Sequence, residues 1–232
     1  MWQIILYAIY AILAVIGAIL GYQLVKLGWE ALRQKLRGKR IAVLGEHAVG
    51  KTKLIEFLTT GTFSPEYIET AEPTKEAGRK FQLRDLELKI DDIIDFSGGE
   101  EWYPLWEQQF KKADIVFYLF KANEYFSGNK QTQNRVHQDL GQIDIWFREN
   151  KNHNPIYFLV GTHCDLIPGY SENASKSNAR ARFNEELLKY PIAKELKLHV
   201  DATRIKLGST LNPENAEELV YRLFHQIEII MR

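Results

Sequence analysis

The sequence predicts an α/β fold, with a mostly parallel sheet covered by helices on both faces, behind one N-terminal apolar segment. Three observations carry this reading. A short apolar run, Ile41, Val43 and Leu44, enters a glycine loop and then a helix-forming stretch, Leu54–Leu58. Two further runs of the buried parallel-strand type follow, Asp114–Phe120 and Ile156–Val160. Helix-patterned stretches separate them, and strands alternating with helices give a parallel-rich sheet whose ligand sits at the C-terminal strand ends.

The 232 residues are 45% hydrophobic and 26% charged, which excludes a disordered chain. Net charge is zero but unevenly spread, since Lys26, Arg33, Lys35, Arg37, Lys39 and Arg40 crowd into residues 26–40 against Glu30 alone. A basic block beside an apolar segment points to a membrane surface and away from nucleic acid. The single cysteine, Cys164, excludes an intrachain disulfide and fits a reducing compartment.

No charged side chain precedes Lys26. An apolar stretch of that length crosses the roughly 30 Å hydrocarbon core as a helix, and Trp2 and Tyr22 stand near its ends where amphipathic rings favour the interface. A cleaved signal peptide would have a basic start and a shorter run. Here the basic residues come afterwards, so the segment reads as a retained anchor. The excess of Arg and Lys behind it places everything downstream on the cytosolic side, as a single-pass protein. Gly17 and Gly21 have the spacing that lets two anchors pack closely, and equally that of two small residues in any membrane helix. Leu27, Ala31, Leu32 and Leu36 continue a helical stripe. The expected layout is an anchor at 1–25, a basic amphipathic linker at 26–39 and a soluble domain at 40–232.

Residues 45–52 read G-E-H-A-V-G-K-T, a Gly-x-x-x-x-Gly-Lys-Thr pattern between a strand and a helix. That context is the one a phosphate-binding loop requires. Gly45, His47, Ala48, Val49, Gly50, Lys51 and Thr52 form the expected cradle. Backbone N–H groups of 48–52 surround phosphate oxygens at a helix N-terminus, Lys51 adds charge and Thr52 offers a hydroxyl to Mg²⁺. His47 reads as a surface side chain in a permissive position and not as a catalytic base, because no acidic partner is evident.

Downstream, Ile90–Asp95 is strand-like and delivers Asp95 to the loop Phe96-Ser97-Gly98. An acidic residue at a strand end suits Mg²⁺ held through water, and Gly98 lets a backbone N–H approach a terminal phosphate. One strand pair after a phosphate loop, this D-x-x-G becomes informative. Here the chain resembles the small Ras-like GTPases, and among them the Arf-like and signal-recognition-particle-receptor β branch. Pro73-Thr74, a hairpin, D-F-S-G-G and then Trp102-Tyr103-Pro104-Leu105-Trp106 follow the Arf layout. The resemblance covers about residues 40–230 and implies the small-GTPase fold, GTP or GDP with Mg²⁺, and Thr74 as the switch threonine that reaches the metal, with Thr70 nearby as the other candidate.

The base-recognition segments carry departures. The family's Asn-Lys-x-Asp stands here as Thr162-His163-Cys164-Asp165, a form similar to that of the Roc domains of Roco proteins. Asp165 is retained, and a carboxylate there accepts the N1–H and N2 amino hydrogens of guanine, a donor pair adenine lacks. His163 replaces the lysine whose stem packs on the phosphate loop. Cys164 reads as a small filler. Gly208-Ser209-Thr210 loosely matches the family's Ser-Ala-Lys loop, making Ser209 and Thr210 nucleotide contacts. Gly99 occupies the position where many GTPases orient water with glutamine, so intrinsic hydrolysis is expected to be slow, with Glu100 the nearest catalytic substitute or a partner supplying the group.

Elsewhere, 131–149 is helix-patterned with an apolar face of Val136, Leu140, Ile143, Ile145 and Trp146; 167–178 reads as loop, 179–196 as helix, 204–207 as the last strand and 213–231 as the closing helix. Two functions remain in play. One is a membrane-anchored switch whose GTP-ordered loops, at 62–78 and 96–110, recruit an effector or receptor subunit. The other is a constitutively GTP-bound receptor or scaffold subunit. An ATP-handling kinase is disfavoured by Asp165 and by domain size.

Overall fold

A computed structural model describes residues 38–60, 79–82, 87–90, 103–170 and 183–231, all within one compact unit, Gly38–Arg232. The predicted anchor at 1–25 lies outside the described residues; among those described, no helix is long and apolar enough to cross a membrane.

The elements alternate as the apolar pattern requires. Strand β1 (Ile41–Gly45) leads to α1 (Lys51–Thr60), then β2 (Arg79–Gln82) and β3 (Glu87–Ile90). Helix α2 (Tyr103–Lys112) precedes β4 (Ile115–Lys121), α3 (Ala122–Phe126) and α4 (Lys130–Glu149). Strand β5 (Ile156–Thr162), a 3₁₀ turn at Cys164–Leu166, α5 (Ala193–Leu196), a second 3₁₀ turn at Ala202–Arg204, β6 (Ile205–Leu207) and α6 (Pro213–Ile230) complete the order. β1, β4, β5 and β6 form a parallel sheet in the order β1-β4-β5-β6, with Val43 opposite Phe117, Phe117 opposite Phe158 and Gly161 opposite Leu207. β2 and β3 pair antiparallel, Arg79 opposite Ile90, as the predicted hairpin.

Parallel strands with both faces covered are apolar throughout, and β4 is: Ile115 to Phe120 are all buried. Alternation sends Val116, Tyr118 and Phe120 to one face, where they join Ala42, Leu44, Tyr157, Leu159 and the α2 and α4 side chains Trp106, Phe110, Val136, Leu140, Ile143 and Trp146. Phe110 meets the Phe147 ring edge-on at 4.8 Å between centroids. Ile115, Phe117 and Leu119 take the other face, where the Phe117 ring meets Phe158 edge-on at 5.9 Å between centroids. Burying each such side chain contributes roughly 1.5–3 kcal/mol, so these strands are the stiff platform from which the loops project.

Helix ends follow local chemistry. Asn129 caps α4 by accepting from the Gln131 and Thr132 N–H groups at 3.0 and 3.2 Å, and Asn212 caps α6 through Asn215 at 3.0 Å, with Pro213 at the first helical position. Two expectations are corrected. Ile145 was placed on the apolar face of α4 but is 36% exposed, because it falls off the stripe set by Val136, Leu140 and Ile143. The helix expected over 179–196 is divided, within the described residues, into a helical stretch at 183–187 and α5. Pro191 causes the division: it has no N–H to donate and disfavours helical backbone at Tyr190.

Candidate functional site

Three segments far apart in sequence meet at the C-terminal ends of β1, β5 and β6. They are the loop 45–52, the turn 162–165 and the loop 208–210. The backbone marks the same place. Among the described residues, the non-glycine positions with positive φ are Ala48 and His163, both at 57°. Such conformations cost of order 1 kcal/mol each and concentrate at functional sites.

The phosphate-loop geometry explains its glycines. Gly45 has φ +143°, and a Cβ there would stand 2.4 Å from the Leu119 carbonyl oxygen, so β1 can turn away from β4 only without a side chain. Gly50 has φ +87°, and its Cβ would lie 3.1 Å from Thr210 Oγ1, which shows how closely the 208–210 loop is laid against the cradle. Lys51 is buried, 3% exposed, and its ammonium donates to the carbonyls of Gly45 at 3.0 Å and Glu46 at 2.7 Å. The cation is thus drawn back across the loop that it would share with phosphate. Thr52, in the first turn of α1, is exposed, and Ala48 is exposed beside it. Backbone donors at a helix start, a buried cation and a first-turn hydroxyl fit a nucleotide phosphate with Mg²⁺.

Thr162 links the other two segments. Its hydroxyl, fully buried, donates to Val49 O at 2.8 Å, with Phe120 O at 3.1 Å and His163 Nδ1 at 2.9 Å also within reach. The base-side turn is therefore bonded directly to the phosphate loop and to the end of β4. Ser209 donates its hydroxyl to Asp165, and the same oxygen accepts the Leu211 N–H at 3.0 Å. Backbone bonds from Cys164 N to Gly208 O and from Gly208 N to Gly161 O fasten the two base-side loops together. Cys164 is buried, and burial pushes its thiol pKa well up, so it is an inert filler as expected. Burial lowers the pKa of His163, with Lys121 and Lys53 adding to the effect against Asp165 and Glu124. Glu124 pairs with Lys121 at 3.3 Å and accepts the Thr132 hydroxyl at 2.6 Å; that bond, with Lys121, holds its carboxyl below the usual range.

The structure thus brings together Gly45, His47, Ala48, Val49, Gly50, Lys51, Thr52, Thr162, His163, Asp165, Ser209 and Thr210. Thr70, Thr74, Asp95, Gly98, Gly99 and Glu100 lie outside the described residues. Two apolar side chains escaped the sequence reading: Leu166, 61% exposed, next to Asp165, and Leu211, 62% exposed, two residues after Ser209. Their only sequence signal is adjacency to the two polar residues that bond each other.

Comparison with known proteins agrees with this geometry. The family model described as the Ras family matches residues 40–226. The chain is 27% identical over 155 residues to the Ras-related protein Rab-36 of Mus musculus, covering 67% of this chain and 54% of that protein. It is 27% identical over 145 residues to the GTP-binding protein Di-Ras2 of Pongo abelii, covering 62% and 67%. It is also 31% identical over 132 residues to the GTP-binding protein RHO4 of Saccharomyces cerevisiae, covering 55% and 40%. The chain spans about half the length of the Rab-36 protein it matches.

Proposed function

The chain belongs to the Ras family, and from that premise we propose that it is a guanine-nucleotide switch whose base specificity rests on Asp165. Members of this family bind GTP and GDP with Mg²⁺. The observation that carries the reading is the Ser209–Asp165 bond, which aims a carboxylate in a turn that Thr162 ties to the phosphate loop. Lys51 and the backbone N–H groups of 48–52 hold the phosphates, and Thr52 supplies a hydroxyl to Mg²⁺, which when bound neutralises phosphate charge. Leu166 and Leu211 offer apolar surface to the faces of the base.

The test is nucleotide binding by the full chain in detergent with Mg²⁺. GTP and GDP bind at least about 100-fold more tightly than ATP, because adenine leaves the carboxylate without donors. Equal affinity for ATP sinks the guanine assignment.

The finer reading adds a membrane anchor at 1–25, a cytosolic switch domain, an Arf-like branch and slow intrinsic hydrolysis. Its supports are the uncharged N-terminal run with basic residues behind it, the order P-T, D-F-S-G-G and P-L-W, and Gly99 in place of a water-orienting side chain. Single-turnover assays on Gly99→Gln and Glu100→Gln address the chemistry. A fast wild type unaffected by either change refutes the role given to this loop. The scaffold reading, in which GTP is held and barely turned over, is favoured by Gly99 and by the firm seating of α2 described below. Partner capture from membranes with GDP and with a non-hydrolysable GTP analogue separates the two, since a scaffold retains its partner in both.

A further inference from the structure

Thr162 presents a proton-counting problem. Its hydroxyl has one hydrogen, yet Val49 O, Phe120 O and His163 Nδ1 lie at 2.8, 3.1 and 2.9 Å. Carbonyl oxygens cannot donate, so among these three only the imidazole can bring a second proton. With Nδ1 unprotonated, the hydroxyl must leave either the buried Val49 carbonyl or the ring nitrogen without a hydrogen. Val49 and Thr162 are both fully buried, where an unpaired polar atom costs of order 1–3 kcal/mol. With Nδ1 protonated, the ring nitrogen is paired and the hydroxyl hydrogen is free for Val49 O, the nearer of the two carbonyls.

Resting on the guanine-nucleotide reading, we propose that His163 is a positioning residue for the phosphate loop. Its Nδ1–H donates to Thr162 Oγ1, which donates in turn to Val49 O. The relay has a defined effect on the cradle. Val49 O and the Gly50 N–H belong to one planar trans peptide and point in opposite directions. Holding the carbonyl toward Thr162 therefore turns the Gly50 N–H away from it, between Ala48 at φ 57° and Gly50 at φ +87°. His163 itself is held at φ 57°, and its Nδ1 lies 2.9 Å from the hydroxyl of its own neighbour, Thr162. The groups around the ring are Asp165 in its own turn, Lys121 and Glu124 at the end of β4 and in α3, and Lys53 in α1. The neutral Nδ1–H tautomer and the imidazolium both carry the required proton, so the relay does not depend on the ring's charge.

The experiment exploits side-chain mimicry: an asparagine amide N–H overlays histidine Nδ1–H, whereas a glutamine amide overlays Nε2. Long-range ¹H–¹⁵N NMR on the full chain in micelles, without nucleotide, shows Nδ1 of His163 protonated. His163→Asn leaves the Gly50 amide resonance near its wild-type position and GDP dissociation within about 2-fold. His163→Gln and Thr162→Val shift that resonance and speed dissociation by about 10-fold, the loss expected for one buried hydrogen bond. Thr162→Ser retains the wild-type behaviour. A neutral Nε2–H tautomer, or equal effects of the Asn and Gln variants, overturns the relay. Failure of the wild type to bind any guanine nucleotide overturns the nucleotide reading instead, and the tautomer and Gly50 resonance still decide the relay.

Discussion

The hydroxyl of Tyr103 donates to the buried carboxylate of Asp139 at 2.8 Å, joining the first residue of α2 to the middle of α4. Asp139 also accepts from Tyr118 of β4 at 2.8 Å and from Arg135 Nε at 2.9 and 3.0 Å. The Arg135 guanidinium lies 5.9 Å from the ring centres of both Tyr103 and Trp106. One carboxylate thus gathers a helix that begins just beyond D-F-S-G-G-E, the central strand and the longest described helix. Trp106 and Phe110 are buried on the same side, so the part of α2 open to a partner is the face of Pro104 and Gln108, with Lys111 and Lys112 at its end. The surface expected to be read at 96–110 is correspondingly narrower over its described residues.

Removing Asp139 should unseat α2. It is fully buried, and burial raises its pKa even against three donors, so the carboxylate is costly and is retained only with its partners. Asp139→Ala leaves the Arg135 charge without its partner and is expected to destabilise the unit Gly38–Arg232 by about 3–5 kcal/mol in urea titrations. Tyr103→Phe removes one neutral-donor bond and costs about 1 kcal/mol. Hydrogen exchange across 103–112 rises in both, and a cooperative unit that loses stability without faster exchange there contradicts the seating argument.

Asp165→Asn is the sharpest probe of the base site. An amide cannot accept two hydrogens from guanine as a carboxylate does, so GTP affinity falls on the order of 100-fold or more. Xanthine carries a carbonyl where guanine carries its amino group, and the amide's N–H can donate to it. Titration of the variant with GTP and XTP should show the preference exchanged. Ser209→Ala, which frees the carboxylate to move and removes the acceptor of the Leu211 N–H, should weaken GTP binding by a few-fold.

Much of this was legible in residue types. Gly45, Gly50, Lys51 and Thr52 announce a phosphate loop because backbone donors and close approach demand those side chains in that order. The parallel strands were legible because burial on both faces makes Ile115–Phe120 apolar throughout. What escaped was relational. Thr162 looked only like a loss of asparagine; that its hydroxyl reaches Val49, 113 residues away, is a property of β1 and β5 flanking β4 and ending at the same end of the sheet. Leu166 and Leu211 have no pattern of their own and gain meaning only from the Asp165–Ser209 bond. The division of 179–196 was written in Pro191, and helical composition on either side masked it.

Gly45→Ala tests the turn out of β1. The tightest contact of the added methyl carbon is backbone, the Leu119 carbonyl oxygen at 2.4 Å, which cannot swing aside as the Val49 methyl at 3.0 Å could. Gly45 is paired in register with Leu119, so relief requires parting β1 from β4 at the mouth of the site. The expected loss is about 2 kcal/mol or more, with positive φ adding to the contact. Thermal unfolding checks it, and a variant within experimental error of wild type shows that the strand ends are looser than the register implies.

Lys206 supplies a pH signature. It lies on β6, largely buried and beside Arg222, and burial followed by that neighbouring charge lowers its pKa to about 8. An unfolded lysine titrates near 10.4. Between those values the unfolded chain binds more protons than the folded one, so this group's contribution makes stability rise with pH across that window. Below pH 8 the folded state bears the whole cost of a buried cation. Lys206→Met, similar in length and uncharged, should therefore be more stable than wild type at pH 7 by about 1 kcal/mol, allowing for the side chain's partial exposure. The advantage should shrink from pH 8 and vanish near pH 10.5 in paired urea titrations. A difference that stays constant over that range assigns the gain to packing and not to the buried charge.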